Sequence, residues 1–379
     1  MVFPLVDLVR VFAALTVLVY HLIAHWEWTG FPGTGPLAWF RGGWMAVDLF
    51  FVISGFVIGL SAFSRIDAQG PGFRRDFLRA RLARIVPLHY VTVAAFVLLV
   101  QPALPAQPDF AANLGAHLLF VHNLFFDYYG AINGPNWSLG TEMQFYLLVA
   151  LAAPWLRTMR WWRLALLFFA IAWTWRWGSW WLLHDGPADR PYMAQTQLPG
   201  MLDEFAIGLL LARFVRSPRG RNGLARLAAA PALRYAGLVA IACGWWAVFR
   251  LHQAFDYWEQ PAMAVFFRTA LGGCTAALLV LLCGWPLTAT QPLARIATYL
   301  GKISYGIYLW HLPVLFLLGE HTHLPPGVAL AIAAPATMML AALTWHLVEQ
   351  PALRRWGRAA SSSPAGAARM HPDPASFPA

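Results

Sequence analysis

The sequence predicts an all-α integral membrane protein of about ten transmembrane helices, with both termini in the cytoplasm. Three observations predict it. Apolar runs of about 20 residues recur along the 379-residue chain. Only 12% of the residues are charged, about half the share of an ordinary soluble protein. The cations also fall on one side of the resulting topology. Lipid admits only helices or closed barrels, and a barrel would show ten-residue segments of alternating hydrophobicity, whereas these runs are continuous.

The first span is expected at 5–24, within LVDLVRVFAALTVLVYHLIA. No basic leader and no A-x-A site accompany it, so it reads as a retained helix rather than a signal peptide. The second follows at 43–63 and the third at 85–102, behind the basic mouth RLARIVPLHY. The stretch 110–126 is apolar but broken by Asn113, His117, His122 and Asn123, and is taken as interfacial or re-entrant. The fourth span, 137–156, opens on Trp137 and Ser138. The fifth, 164–182, is flanked by Trp161, Trp162, Trp180 and Trp181, residues suited to interface anchoring. The sixth, 199–215, is headed by Asp203 and Glu204, where helix-dipole stabilisation competes with function. Spans at 233–250 and 261–283 hold Cys243, Cys274 and Cys283, unpaired and read as small buried hydrophobes. The last two are expected at 302–319, with Lys302 at its base, and at 327–347. Residues 1–350 therefore form one membrane domain. Residues 351–379 form a basic, then Ser-, Pro- and Ala-rich cytoplasmic tail expected to be disordered.

With the N-terminus inside, twenty Lys and Arg residues fall in the inner loops and tail, and two, Arg41 and Arg190, in the outer loops. That split sets the orientation. It also explains the net charge of +10 without nucleic acid, which is not an expected partner. An even number of spans keeps 110–126 from crossing. No internal repeat is visible, which counts mildly against an inverted-repeat transporter.

Arg10 and His21 carry the sharpest functional signal. Eleven residues make three helical turns plus about 20°, so both side chains share one face, about 16 Å apart along the axis. A cation inside an apolar span is a functional-site hypothesis by default. Orientation converts sequence position into depth. His21, Asp48, Trp137, Ser138 and Glu142 belong to the outer half, and His311 lies near mid-depth or beyond. A carboxylate such as Asp48 or Glu142 beside an imidazole is the arrangement a general base needs. Arg10, Arg81, Arg84, Lys302, Ser304 and Tyr305 gather in the inner half, where cations with hydroxyls suit phosphate groups. Blander readings stay open. Arg81 and Arg84 belong to an inner charge run, Asp7 can simply neutralise Arg10, and His311 can be a helix–helix hydrogen-bonding residue. Arg176 and Arg268 lie within spans, but a small boundary shift would move them, so neither is given a role. His321 and His323 are too few to argue a metal, and none is expected.

The chain resembles the membrane-bound acyltransferase-3 family, the integral membrane O-acyltransferases of bacterial surface glycans, over about 1–350. LVDLVRVFAALTVLVYH matches the family's Arg-x10-His helix, and GGWMAVDLFFVISGFVI carries Asp48, Ser54 and Gly55. RLARIVPLHY matches the basic mouth of the third span. NWSLGTEMQFYLL carries Trp137, Ser138, Glu142 and Tyr146. LGKISYGIYLWHLPV carries Ser304, Tyr305, Tyr308 and His311, and VEQP at 348–351 matches the Glu-x-Pro close. The resemblance implies acyl transfer from cytoplasmic acyl-CoA, with acetyl the family-level default, to a hydroxyl of an extracytoplasmic or lipid-linked carbohydrate at the inner (plasma) membrane. It implies no permanently bound cofactor, and a stand-alone form without a fused esterase-like domain. It implies His21 and Arg10 as the central pair, with Glu142 and His311 as further site residues. Taken with the depth argument and the matched segments, the catalytic candidates are His21, Glu142, Asp48 and His311, and the candidates for acyl-CoA and substrate binding are Arg10, Arg81, Arg84, Ser54, Trp137, Ser138, Tyr305 and Tyr308. Either His21 acts as general base on the acceptor, or His21, Ser54 or Ser138 carries the acyl group covalently. The rival class is a transporter or flippase using Arg10 as clamp and His21 as proton relay; a third reading is a non-catalytic membrane sensor.

Overall fold

A computed structural model of the chain describes residues 3–187, 189–287 and 290–356. Among these it is helical and contains no strand. The helices are α1 Pro4–His25, α2 Ala46–Gln69, α3 Phe73–Ala95, α4 Phe110–Leu118, α5 Trp137–Thr158, α6 Trp161–Leu183 and α7 Asp189–Gln195. They continue as α8 Leu198–Arg216, α9 Pro218–Ala229, α10 Pro231–Ala254, α11 Pro261–Cys283, α12 Pro292–His321, α13 Pro326–Thr344 and α14 Gln350–Trp356. Helices of 19 residues or more stand at the ten expected places among the described residues. Among the described residues, seven segments are long and apolar enough to cross a membrane: those built on α1, α2, α3, α10, α11, α12 and α13. The helices α5, α6 and α8 mix their apolar residues with Trp, Arg and acidic side chains. The stretch from 110 contributes only the nine-residue α4, about 14 Å long and too short to span.

Prolines set several starts. Pro4, Pro231, Pro261, Pro292 and Pro326 each occupy the first turn of a long helix, where the missing N–H costs nothing. The basic run FRRDFLRARLAR does not lie outside the third helix as expected. It forms the first turns of α3, since Arg is a good helix former. The α12 helix likewise begins at Pro292 rather than at 302. A five-residue π-helical turn, Trp345–Glu349, joins α13 to α14. Of the expected tail, 351–356 lies in α14, and residues 357–379 lie outside the described residues.

The core forms where α2 packs on α8 and α1 on α12, with α3 and α5 alongside. Small residues permit the close approaches. A Cβ on Gly55 of α2 would collide with the Phe205 carbonyl of α8, and one on Gly301 of α12 would collide with Asp7 of α1. Such contacts drive helix association where lipid and side chain are equally apolar. The α2 and α12 segments are the most enclosed, and α10 and α13 sit at the periphery.

Candidate active site: two cavities along one helix

Two cavities lie one after the other along α1. The first, about 270 Å³, is lined by Arg10 of α1, Ser54 of α2, Arg81 and Arg84 of α3, Ser138, Glu142 and Tyr146 of α5, and Tyr305 and Tyr308 of α12. The second, about 160 Å³, is lined by Val17, Tyr20 and His21 of α1, with Trp44, Trp137, Tyr192 and the Gly134–Pro135 turn. Val47 and Tyr308 line both, so they form the wall between them. The shared face inferred from an eleven-residue spacing thus carries a cation into one chamber and an imidazole into the other.

The cations of the first cavity are not equivalent. Arg84 is ion-paired with Glu349, which is fully buried at the end of the π-helical turn, and it donates to the Lys302 carbonyl at 2.6 Å. Its guanidinium also stacks over Trp345, 4.9 Å from the ring centre. Arg84 is therefore committed to joining α3 to the turn between α13 and α14. Arg10 has only a loose contact with Asp7, 4.0 Å away. Arg81 forms no ion pair among the described residues, and its Nε is buried without a partner. Arg10 and Arg81 are the cations left to hold an anion. Opposite them, the Ser54 hydroxyl donates to Glu142 at 2.5 Å. The Tyr305 hydroxyl is occupied by the Ile85 carbonyl at 2.9 Å.

The shared wall is rigidly bonded. Tyr308 donates to the Pro135 carbonyl at 3.0 Å, and its hydroxyl lies 2.9 Å from Ser138 Oγ. Ser138 also reaches the Pro135 carbonyl at 3.0 Å, so neither hydroxyl is idle. Trp137 stacks on Tyr129 and stands edge-on to Tyr192.

The histidines form a directed chain. His311 Nδ1 lies 2.6 Å from the Tyr308 carbonyl, and His21 Nδ1 lies 3.0 Å from the Val17 carbonyl. A carbonyl can only accept, so both Nδ1 atoms carry protons. His311 Nε2, 3.2 Å from His21 Nδ1, then accepts from it. One neutral tautomer of each ring satisfies every contact. It leaves the lone pair of His21 on Nε2, which has no protein partner among the described residues.

Asp48 requires a correction. The depth argument set it beside His21, yet it makes no hydrogen bond to that ring. It forms a fully buried ion pair with Arg268 of α11. Arg268 also donates to the Tyr257 hydroxyl at 2.9 Å and lies over the rings of Trp44, Tyr192 and Tyr257. A second buried pair joins Arg176 to Asp203 at 2.5 Å, with further bonds to the Gly200 and Val265 carbonyls. Arg176 and Arg268 are thus buried inside the bundle, and Asp203 has a side-chain partner rather than a helix-end role alone. Sequence reasoning gave Arg268 no role, met Glu349 and Trp44 only inside matched segments, and did not name Tyr20 or Tyr192. An arginine in an apolar run was the available signal for Arg268.

A family model described as an acyltransferase domain matches residues 3–346. The peptidoglycan O-acetyltransferase OatA of Listeria monocytogenes is 26% identical over 92% of this chain and 55% of its own length. Nodulation protein 10 of Rhizobium leguminosarum is 27% identical over 92% of each chain. The O-acetyltransferase OatA of Staphylococcus aureus is 32% identical over 40% of this chain and 25% of its own length. This chain therefore spans about half of the Listeria relative it matches, and a quarter of the staphylococcal one. No solved structure matches.

Proposed function

The chain belongs to the acyltransferase-3 family, and on that premise we propose that it is a multi-pass O-acyltransferase of the inner membrane with ten crossings and both termini inside. It moves an acyl group, by default acetyl, from cytoplasmic acyl-CoA to a hydroxyl of a cell-envelope carbohydrate. The observation that carries this reading is the pairing of chambers along α1. One holds two uncommitted arginines, the other an imidazole with a free Nε2, and a single wall divides them.

In this reading Arg10 and Arg81 hold phosphate oxygens of CoA, and the pantetheine arm runs along α1 toward His21. The acceptor hydroxyl gives its proton to His21 Nε2 as its oxygen attacks the thioester carbonyl. The thiolate leaves and takes that proton from the imidazolium, so His21 ends as it began. His311 and the Val17 carbonyl hold His21 Nδ1–H and share the charge that develops on the ring. Backbone N–H groups in the first turn of α5 supply hydrogen bonds to the oxyanion. A placed base of this kind contributes roughly 10²–10⁴ in rate.

The test uses vesicles containing the full chain and acetyl-CoA labelled on the acetyl group. Label should move to envelope glycan, and His21→Ala should lower transfer by about 10²–10⁴ while the protein stays folded in the membrane. Wild-type turnover in His21→Ala would overturn the assignment. Passage of unmodified glycan without any need for acetyl-CoA would favour a flippase instead.

A further inference from the structure

The two chambers differ in chemistry as well as position. No Asp, Glu, Lys or Arg lines the second cavity. Its walls are aromatic, and two of those rings already have a partner on one face. Arg268 lies over Trp44, and Tyr129 stacks on Trp137 with ring centres 5.5 Å apart. The cavity also holds unused hydrogen-bonding capacity. The Tyr20 and Tyr192 hydroxyls and the Trp44 and Trp137 N–H groups make no hydrogen bond among the described residues, and none is sealed away from open space. By contrast, the indole N–H groups of Trp39 and Trp245, elsewhere in the bundle, are buried and unpartnered.

From this combination we infer that the second cavity is the acceptor subsite and takes an uncharged sugar ring, bordered by Trp44 and Trp137 and hydrogen-bonded by Tyr20 and Tyr192. The chemistry of each wall group points the same way. A pyranose has apolar C–H faces that cover aromatic rings and an equatorial rim of hydroxyls that need partners. Polar groups left unpaired on binding are costly, so a ring with hydroxyls at those four positions is selected over an alkyl chain of the same size. An anionic sugar would enter without a counter-charge, which buried sites reject. His21 shares the same cavity, so a hydroxyl of the bound ring meets Nε2. The buried Arg268–Asp48 pair acts here as a positioning device, because its guanidinium lies over the Trp44 and Tyr192 rings. The orientation toward His21 rests on the acyl-transfer reading; the binding of the ring does not.

The experiment therefore measures binding without any acyl donor. The full chain in lipid nanodiscs is titrated with cellotetraose, chitotetraose and, as the charged counterpart, tetragalacturonate, following tryptophan fluorescence. The neutral probes should bind and the anionic probe should bind at least tenfold more weakly. Trp44→Ala and Trp137→Ala should each weaken the neutral probes at least tenfold. Trp44→Phe and Trp137→Phe, which keep a ring and delete the N–H, should lose about threefold to tenfold. Thermal unfolding identifies any variant that fails to fold, and the Phe variants then carry the test. No binding of either neutral probe up to millimolar concentration would overturn the proposal. So would equal affinity for the anionic probe, or a Trp44→Ala variant whose only change is acceptance of longer acyl-CoA. Loss of acetyl transfer in His21→Ala with sugar binding intact would leave both readings standing. Sugar binding without any acetyl transfer would sink the enzymatic reading alone.

Discussion

Replacing Asp48 by Asn separates two roles that the sequence merged. Depth alone set this carboxylate beside His21, where its loss would strike chemistry. The structure binds it instead to Arg268, with both groups fully buried. Removing one member of such a pair costs about 3–5 kcal/mol, because the other charge is left uncompensated. Asn keeps a side-chain oxygen that can still accept from Arg268, so the low end applies, about 3 kcal/mol. That is roughly a hundredfold in the folding equilibrium. Asp48→Asn should therefore lower the unfolding temperature of the chain in nanodiscs by several degrees. Its kcat per folded molecule, at saturating acceptor, should stay within about threefold of the parent. Asp48→Leu combined with Arg268→Leu should recover most of the lost stability, since exchanging a whole buried pair for apolar groups is often near neutral. An unaltered melting temperature with a kcat reduced a hundredfold would refute the reasoning and return Asp48 to the reaction.

Three further outcomes follow from the same geometry. His311→Ala removes one of two acceptors at His21 Nδ1, the Val17 carbonyl remaining, so kcat should fall about tenfold or less, as one net hydrogen bond predicts; a loss near that of His21→Ala would make His311 a reacting group. Arg81→Ala should raise the KM for acetyl-CoA about tenfold to a hundredfold, the worth of a charge-assisted hydrogen bond, and leave melting little changed. Arg84→Ala and Glu349→Ala should do the reverse, destabilising the join between α3 and α14 by about 3 kcal/mol with little effect on that KM.

Much of the architecture was legible because apolar runs, prolines and polar breaks are local signals. Arg10 and His21 could be placed on one face by counting turns, and the broken stretch from 110 could be seen not to sustain a long helix. The partners of charged groups could not be read. Asp48 meets Arg268 across 220 positions of sequence, and Arg84 meets Glu349 across 265. Helical periodicity fixes a residue's face and depth within its own helix. It does not fix how that helix is rotated against its neighbours, and rotation decided whether Asp48 faced His21 or Arg268. The same limit hid the aromatic chamber, whose walls come from α1, the segment ahead of α2 and the first turn of α2, the start of α5, α7 and α12. The π-helical turn had no visible mark either, yet it delivers Glu349 to Arg84.

The ring of Tyr308 is a doorpost as well as a wall. Its hydroxyl is bolted to the Pro135–Ser138 corner, at the turn that leads into α5. Any shift of that corner which carries the phenol along would change whether donor and recipient see each other. In the proposed reaction, leakage of activated acyl groups to solvent and the timing of a productive encounter would then answer to one latch.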